Sequence, residues 1–172
     1  MPEWGSADQP MTIYLLRHGI AEPAGAGADD AGRALTDEGR RKLRAVLKLA
    51  RGAGVKPERI LTSPLVRAVQ TAELAGEALG CQARPMRTEV LAGGSPEDVW
   101  SEIRVHKDAA SLLLAGHEPQ FSQLAAYLLG TPDLVVDFKK GALIAIEMEQ
   151  FGSRPRGALR WMLVPKLAGR SD

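Results

Sequence analysis

The sequence predicts an α/β fold, a three-layer sandwich whose mostly parallel central sheet carries helices on both faces. Three observations lead there. Short apolar runs read as buried strands at Met11–Leu16, in RILTS (59–63) and in SLLLAGH (111–117). Segments with apolar residues at helical spacing separate these runs, and alternation of that kind favours parallel strands joined by covering helices. No internal repeat, heptad or interdomain linker interrupts the pattern, so residues 11–172 read as a single domain.

In chain order, residues 1–10 precede the first strand and lack an apolar stretch, and they are expected to be a disordered N-terminal extension. After Met11–Leu16 comes AEPAGAGADDAGRA (21–34), a loop by composition. Thr36 in LTDEG is a plausible helix cap, with Asp37 and Glu38 suited to the positive helix end. Leu43, Val46, Leu47 and Ala50 then follow helical spacing, and RGAG (51–54) closes that helix. After RILTS, Ser63 and Pro64 read as a cap and first-turn pair opening a helix with Leu65, Val69, Ala72 and Leu79 on its buried stripe. QARPMRTEVL (82–91) reads as extended, and Ser95–Pro96 opens a helix through Trp100 and Ile103. Phe121, Leu124, Ala125, Leu128 and Leu129 mark one face of the helix after SLLLAGH. Two final strands, ALIAIEM (142–148) and ALRWMLVP (158–165), flank the turn-rich FGSRPRG.

Composition narrows the function. The chain has 172 residues and a formal net charge of +1, so it carries no broad field for nucleic acid or an anionic membrane. Its single cysteine, Cys81, excludes an internal disulfide and a multi-cysteine metal site. No apolar run reaches the length of a membrane span, and no secretory signal is visible, so a cytoplasmic location is expected.

The polar residues then gain meaning from where the strands end. In parallel sheets, ligands sit beyond the carboxyl ends of the strands. Arg17 and His18 end the first strand, Arg67 lies in the first turn after the second, and His117 ends the third. Three strand ends thus bring two guanidiniums and two imidazoles to one edge. Helix amino ends there add N–H donors, and arginine grips phosphate oxygens bidentately without losing its charge. There is no His-x-x-x-His, no Asp-x-Asp set and no glycine-rich loop ending in Lys-Ser or Lys-Thr, so neither a metal nor a cofactor is expected. A neutral imidazole in such a pocket is a competent nucleophile toward phosphorus, with the cations stabilising the transferring phosphoryl group.

The strings LRHG, RALTDEG, LTSPLVRAVQTAE and LLLAGHEP, in this order, resemble the histidine phosphatase superfamily, and in particular its small SixA-type phosphohistidine phosphatase branch. The resemblance runs from about Met11 to Met148. It implies a phosphoglycerate mutase-like fold, His18 as the phosphorylated nucleophile, and Arg17, Arg67 and His117 as its phosphate-pocket partners. Gly19 would permit the tight turn after the nucleophile through its conformational freedom. Arg33, Leu35, Thr36 and Gly39 match the R-x-L-T…G stretch of this branch, read as structural. Many larger relatives continue RHGE and carry an asparagine soon after, whereas Ile20 and Ala21 follow here and the chain has no asparagine. There is also no room for their long helical insertion, so a mutase or phytase-like enzyme is disfavoured and an open, shallow pocket is expected.

Three readings of the proton donor stand side by side: Glu118, matching the carboxylate after the second histidine in the acid-phosphatase branch; Glu89; or no dedicated acid, since an imidazole leaves readily. For the substrate, the resemblance implies phosphohistidine in a protein, such as a phosphotransfer domain. A small phosphomonoester and a noncatalytic phosphate-binding module are the alternatives. Asp29 and Asp30 read as solvated loop residues.

Overall fold

The computed structural model describes residues 9–25 and 29–169. Most of the expected N-terminal extension, and the centre of the loop at 24–32, lie outside them. The strands are β1 (Met11–Arg17), β2 (Arg59–Thr62), β3 (Met86–Arg87), β4 (Ser111–Gly116), β5 (Leu143–Met148) and β6 (Gly157–Leu163). The helices are α1 (Asp37–Gly52), α2 (Val66–Leu79), α3 (Pro96–Val105), α4 (Gln120–Leu128) and the short α5 (Pro165–Ala168). One sheet runs β3-β2-β4-β1-β5-β6. From β3 to β1 the neighbours are parallel, and β5 and β6 close the other side antiparallel.

Alternation along the strands sorts side chains into two cores. Ile13, Leu15, Leu112 and Leu114 face α3 and α4, packing with Val99, Trp100, Ile103, Phe121 and Leu124. Leu16, Leu113 and Ala115 face α1 and α2, packing with Leu43, Val46, Leu47, Ala72 and Leu79. Each fully buried leucine or isoleucine contributes roughly 1.5–3 kcal/mol by leaving water. Strands buried on both faces explain why the sequence shows continuous apolar runs there. The sandwich is therefore the three-layer α/β fold expected.

Helix ends follow the sequence in two places and depart from it in one. Thr36 caps α1 by accepting from Gly39 N at 2.9 Å, and Ser95 with Asp98 forms a reciprocal capping box on α3. Ser63 does not cap α2. That helix starts at Val66 behind Leu65 with no side-chain cap, and the Ser63 hydroxyl turns toward the sheet edge instead. The extended reading of 82–91 also shortens. Only Met86–Arg87 pairs with β2, after which the burial of Leu91 draws residues Glu89–Ala92 into a 3-10 turn.

Register fixes the site. Leu16 and Thr62 both lie opposite Ala115, and Arg17 lies opposite Gly116. The next residues on three adjacent strands, His18, Ser63 and His117, consequently emerge side by side. His18 N donates to Gly116 O at 3.0 Å and Ser63 N to Ala115 O at 3.0 Å, carrying the ladder one step past the strands.

Candidate active site

His18 is nearly enclosed, at 7% exposure, and its Nδ1 lies 2.7 Å from Gly19 O. A carbonyl oxygen only accepts, so Nδ1 carries the proton and Nε2 keeps its lone pair. Burial, reinforced by His117, Arg67 and Arg17, pushes the His18 pKa down to about 3. The ring is neutral at pH 7, the state a nucleophile requires. His117 sits with its ring centroid 5.1 Å from that of His18. Its pKa is likewise pushed down to about 4, chiefly by burial and then by Arg67.

Both arginines are held by main-chain carbonyls. Arg17 Nη1 donates to Phe138 O at 2.6 Å, and Arg67 Nη1 donates to Asp30 O at 2.9 Å. The Nε of each is buried with no hydrogen-bond partner, as is His117 Nδ1. Orphaned buried polar groups cost roughly 1–3 kcal/mol each, so three of them beside one imidazole mark a place shaped for an acceptor that is not protein. Arg17, Arg67 and His117 all lie near enough to His18 to disfavour its charged form, so the structure brings the four side chains together.

Arg67 also reaches a carboxylate. Its Nη2 donates to Asp30 Oδ2 at 3.2 Å, and Arg33 holds the other oxygen through Nε at 2.8 Å. Asp30, read from sequence as a solvated loop residue, is thus a bridge between two guanidiniums. Arg33 fits its structural reading, since it also donates to Glu22 O at 3.1 Å. Leu35 N donates to Gln70 Oε1 and Thr36 N to Ile20 O, bracing the same turn.

Gly19 corrects an expectation. The described glycines with positive φ do not include it, so conformational freedom is not what the turn needs. The need is space. A Cβ on Gly19 would lie 2.7 Å from Leu43 Cδ1 and 3.2 Å from Gly39 O, while one on Gly39 would lie 2.2 Å from Ile20 O. The start of α1 crosses the turn after His18 too closely for side chains.

Thr71 was missed by sequence reasoning. It is fully buried, accepts from Gly19 N at 3.2 Å and donates to Arg67 O at 2.7 Å, tying the turn after His18 to α2. The available signal was a hydroxyl four residues after Arg67, on an otherwise apolar helix stripe.

The two carboxylates considered as donors are placed differently. Glu118 Oε1 accepts from Ser122 N at 2.7 Å at the start of α4 and lies close enough to Arg17 to favour its charge. Glu89 stands exposed at the first position of the 3-10 turn after β3, at the same sheet edge but beyond β2. Among the described residues, no group of three or more His, Cys, Asp or Glu side chains is placed to hold a metal ion. None of their helices is long and apolar enough to cross a membrane.

Known proteins resemble this chain. Residues 13–90 match the model of the histidine phosphatase superfamily (branch 1). The chain is 29% identical over 163 residues to phosphohistidine phosphatase SixA of Escherichia coli K12, covering 90% of this chain and 94% of that one. It is 34% identical over 144 residues to an uncharacterised protein of Picosynechococcus, covering 79% of this chain and 84% of that one. The solved structure of the protein histidine phosphatase SixA complexed with tungstate superposes with a TM-score of 0.80 at 28% identity, over 91% of this chain and 99% of that one.

Proposed function

The chain belongs to the histidine phosphatase superfamily, and on that premise we propose that it is a phosphatase using His18 Nε2 as nucleophile and phosphohistidine in a protein as substrate. One observation carries the site assignment. Arg17, Arg67 and His117, whose Nε, Nε and Nδ1 atoms are buried without partners, all act electrostatically on a neutral imidazole whose Nδ1 is already engaged.

In the first step the His18 Nε2 lone pair forms a bond to phosphorus as the bond to the leaving group breaks. The guanidiniums stabilise the charge spread over the three equatorial oxygens. In the second step water attacks phosphorus, the Nε2–P bond breaks, its electron pair returns to His18, and inorganic phosphate leaves with the proton balance taken by solvent. A phosphohistidine substrate suits this site because its imidazole departs without a strong acid, and Glu118 is already engaged by Ser122 N.

The test compares turnover of a phosphohistidine-bearing phosphotransfer domain with that of a panel of sugar and nucleotide phosphates, and traps the enzyme with acid-labile label. The expected result is label on His18 and preference for the protein. Preference for a small ester would replace the substrate assignment. No turnover and no label would leave a binding module.

A further inference from the structure

We propose that Ser63 is a positioning residue that fixes the proton of His117 on Nδ1, so that this histidine serves as a hydrogen-bond donor to the transferring phosphoryl group. The kinetic half of this inference rests on the phosphatase reading above; the tautomer itself does not.

The argument is an accounting of one hydroxyl. Ser63 is fully buried. Its Oγ lies 2.7 Å from His117 Nε2 and accepts from Leu65 N at 3.3 Å. A serine hydroxyl has a single hydrogen and two acceptor lone pairs. Leu65 N is a donor, so the hydroxyl hydrogen has one acceptor within reach, His117 Nε2. If Nε2 were instead protonated, the oxygen would receive two N–H groups and its own hydrogen would be left without an acceptor in a dry site, at roughly 1–3 kcal/mol. Nε2 therefore accepts, and the ring proton sits on Nδ1.

That nitrogen is buried and unpartnered. A phosphoryl oxygen can only accept, so a protonated Nδ1 attracts it where a bare lone pair would repel it. The two histidines are thus tied by opposite nitrogens. Backbone holds His18 by Nδ1 and frees Nε2 as a lone pair; Ser63 holds His117 by Nε2 and frees Nδ1 as a donor. A neutral His117 has only one proton to place, which gives the serine its leverage.

Long-range proton–nitrogen NMR spectra of the ligand-free protein at pH 7 read the tautomer directly. The expected result is the Nδ1–H form at His117. Ser63→Ala should move the His117 nitrogen signals toward the Nε2–H or averaged pattern, leave those of His18 in place, and lower kcat roughly 10- to 100-fold, a large part of what one preorganised donor is worth. Ser63→Thr keeps the hydroxyl and should restore both. An Nε2–H tautomer at His117 in the wild type overturns the proposal, even if Ser63→Ala fails to fold. So does a folded Ser63→Ala protein with unchanged His117 signals and wild-type kcat. A wild type that shows the Nδ1–H form yet turns over no phosphorylated substrate would remove the phosphatase reading and leave the tautomer assignment intact.

Discussion

The two ends of the sheet use the same side chain in opposite ways. At the amino ends of the strands, Arg59 opens β2 and donates two bonds to Asp108, at 2.8 and 2.6 Å, which stabilises its charge. At the carboxyl ends, Arg17 and Arg67 are steadied by the carbonyls of Phe138 and Asp30, neutral groups that orient a guanidinium without cancelling it. A cation matched by its own carboxylate is complete. One held by a carbonyl keeps its field for something else, and burial strengthens that field. The exposed carboxylate of Asp30, shared with Arg33, matches Arg67 only in part.

The largest way to break this comparison is to remove what the carbonyl-held cations surround. His18→Ala should lower kcat by roughly 10⁴-fold or more, the scale of deleting a covalent nucleophile, while far-UV circular dichroism stays unchanged. Retained turnover would end the contrast, because the carboxyl edge would then hold no reaction. Next come the arginines themselves. Arg17→Lys and Arg67→Lys should each cost roughly 100- to 1000-fold in kcat, since an ammonium cannot donate from a fixed planar fork. Arg59→Lys should leave kcat unchanged. Equal kinetic losses at both ends would dissolve the distinction.

A smaller effect sharpens the electrostatic side. Burial pushes the pKa of His18 down to about 3 and that of His117 down to about 4 in the folded chain, against about 6.5 for histidine in an unfolded one. Between those limits the unfolded state binds more protons, so folding stability falls as pH drops from about 6.5 toward 4, by up to about 1.4 kcal/mol per pH unit for each histidine. Urea unfolding of the wild type and of His18→Gln across that window should show the shallower slope in the variant. Parallel slopes would mean that His18 is not held neutral. Smallest of all, Glu118→Gln keeps an acceptor for Ser122 N and should change turnover of a phosphohistidine protein by less than about threefold. A loss on the order of 100-fold would make Glu118 the proton donor.

Much of this edge could be read from sequence because side chains at strand ends follow apolar runs that announce themselves. Met11–Leu16 and SLLLAGH placed Arg17, His18 and His117, and the strand–helix alternation placed Arg67 beside them. What escaped was supplied by backbone and by neighbours distant in sequence. The carbonyls of Phe138 and Asp30 have no residue signature, because every residue carries one. Ser63 followed by Pro64 has the grammar of a helix cap, but the start of α2 at Val66 leaves its hydroxyl free to meet His117. Gly19 is required by the nearness of Leu43 and Gly39, a fact of helix–turn packing that local sequence does not contain.

The central place of β1 has a consequence for synthesis. β1, which carries His18 at its end, precedes its ladder partners β4 and β5 in the chain, and the carbonyl that steadies Arg17 belongs to Phe138, 121 residues downstream. Such long-range pairing is slow to form, and a chain emerging from the ribosome cannot complete it early. The imidazole of His18 therefore stays without its cradle until the chain through Phe138 and β5 is available to fold against it.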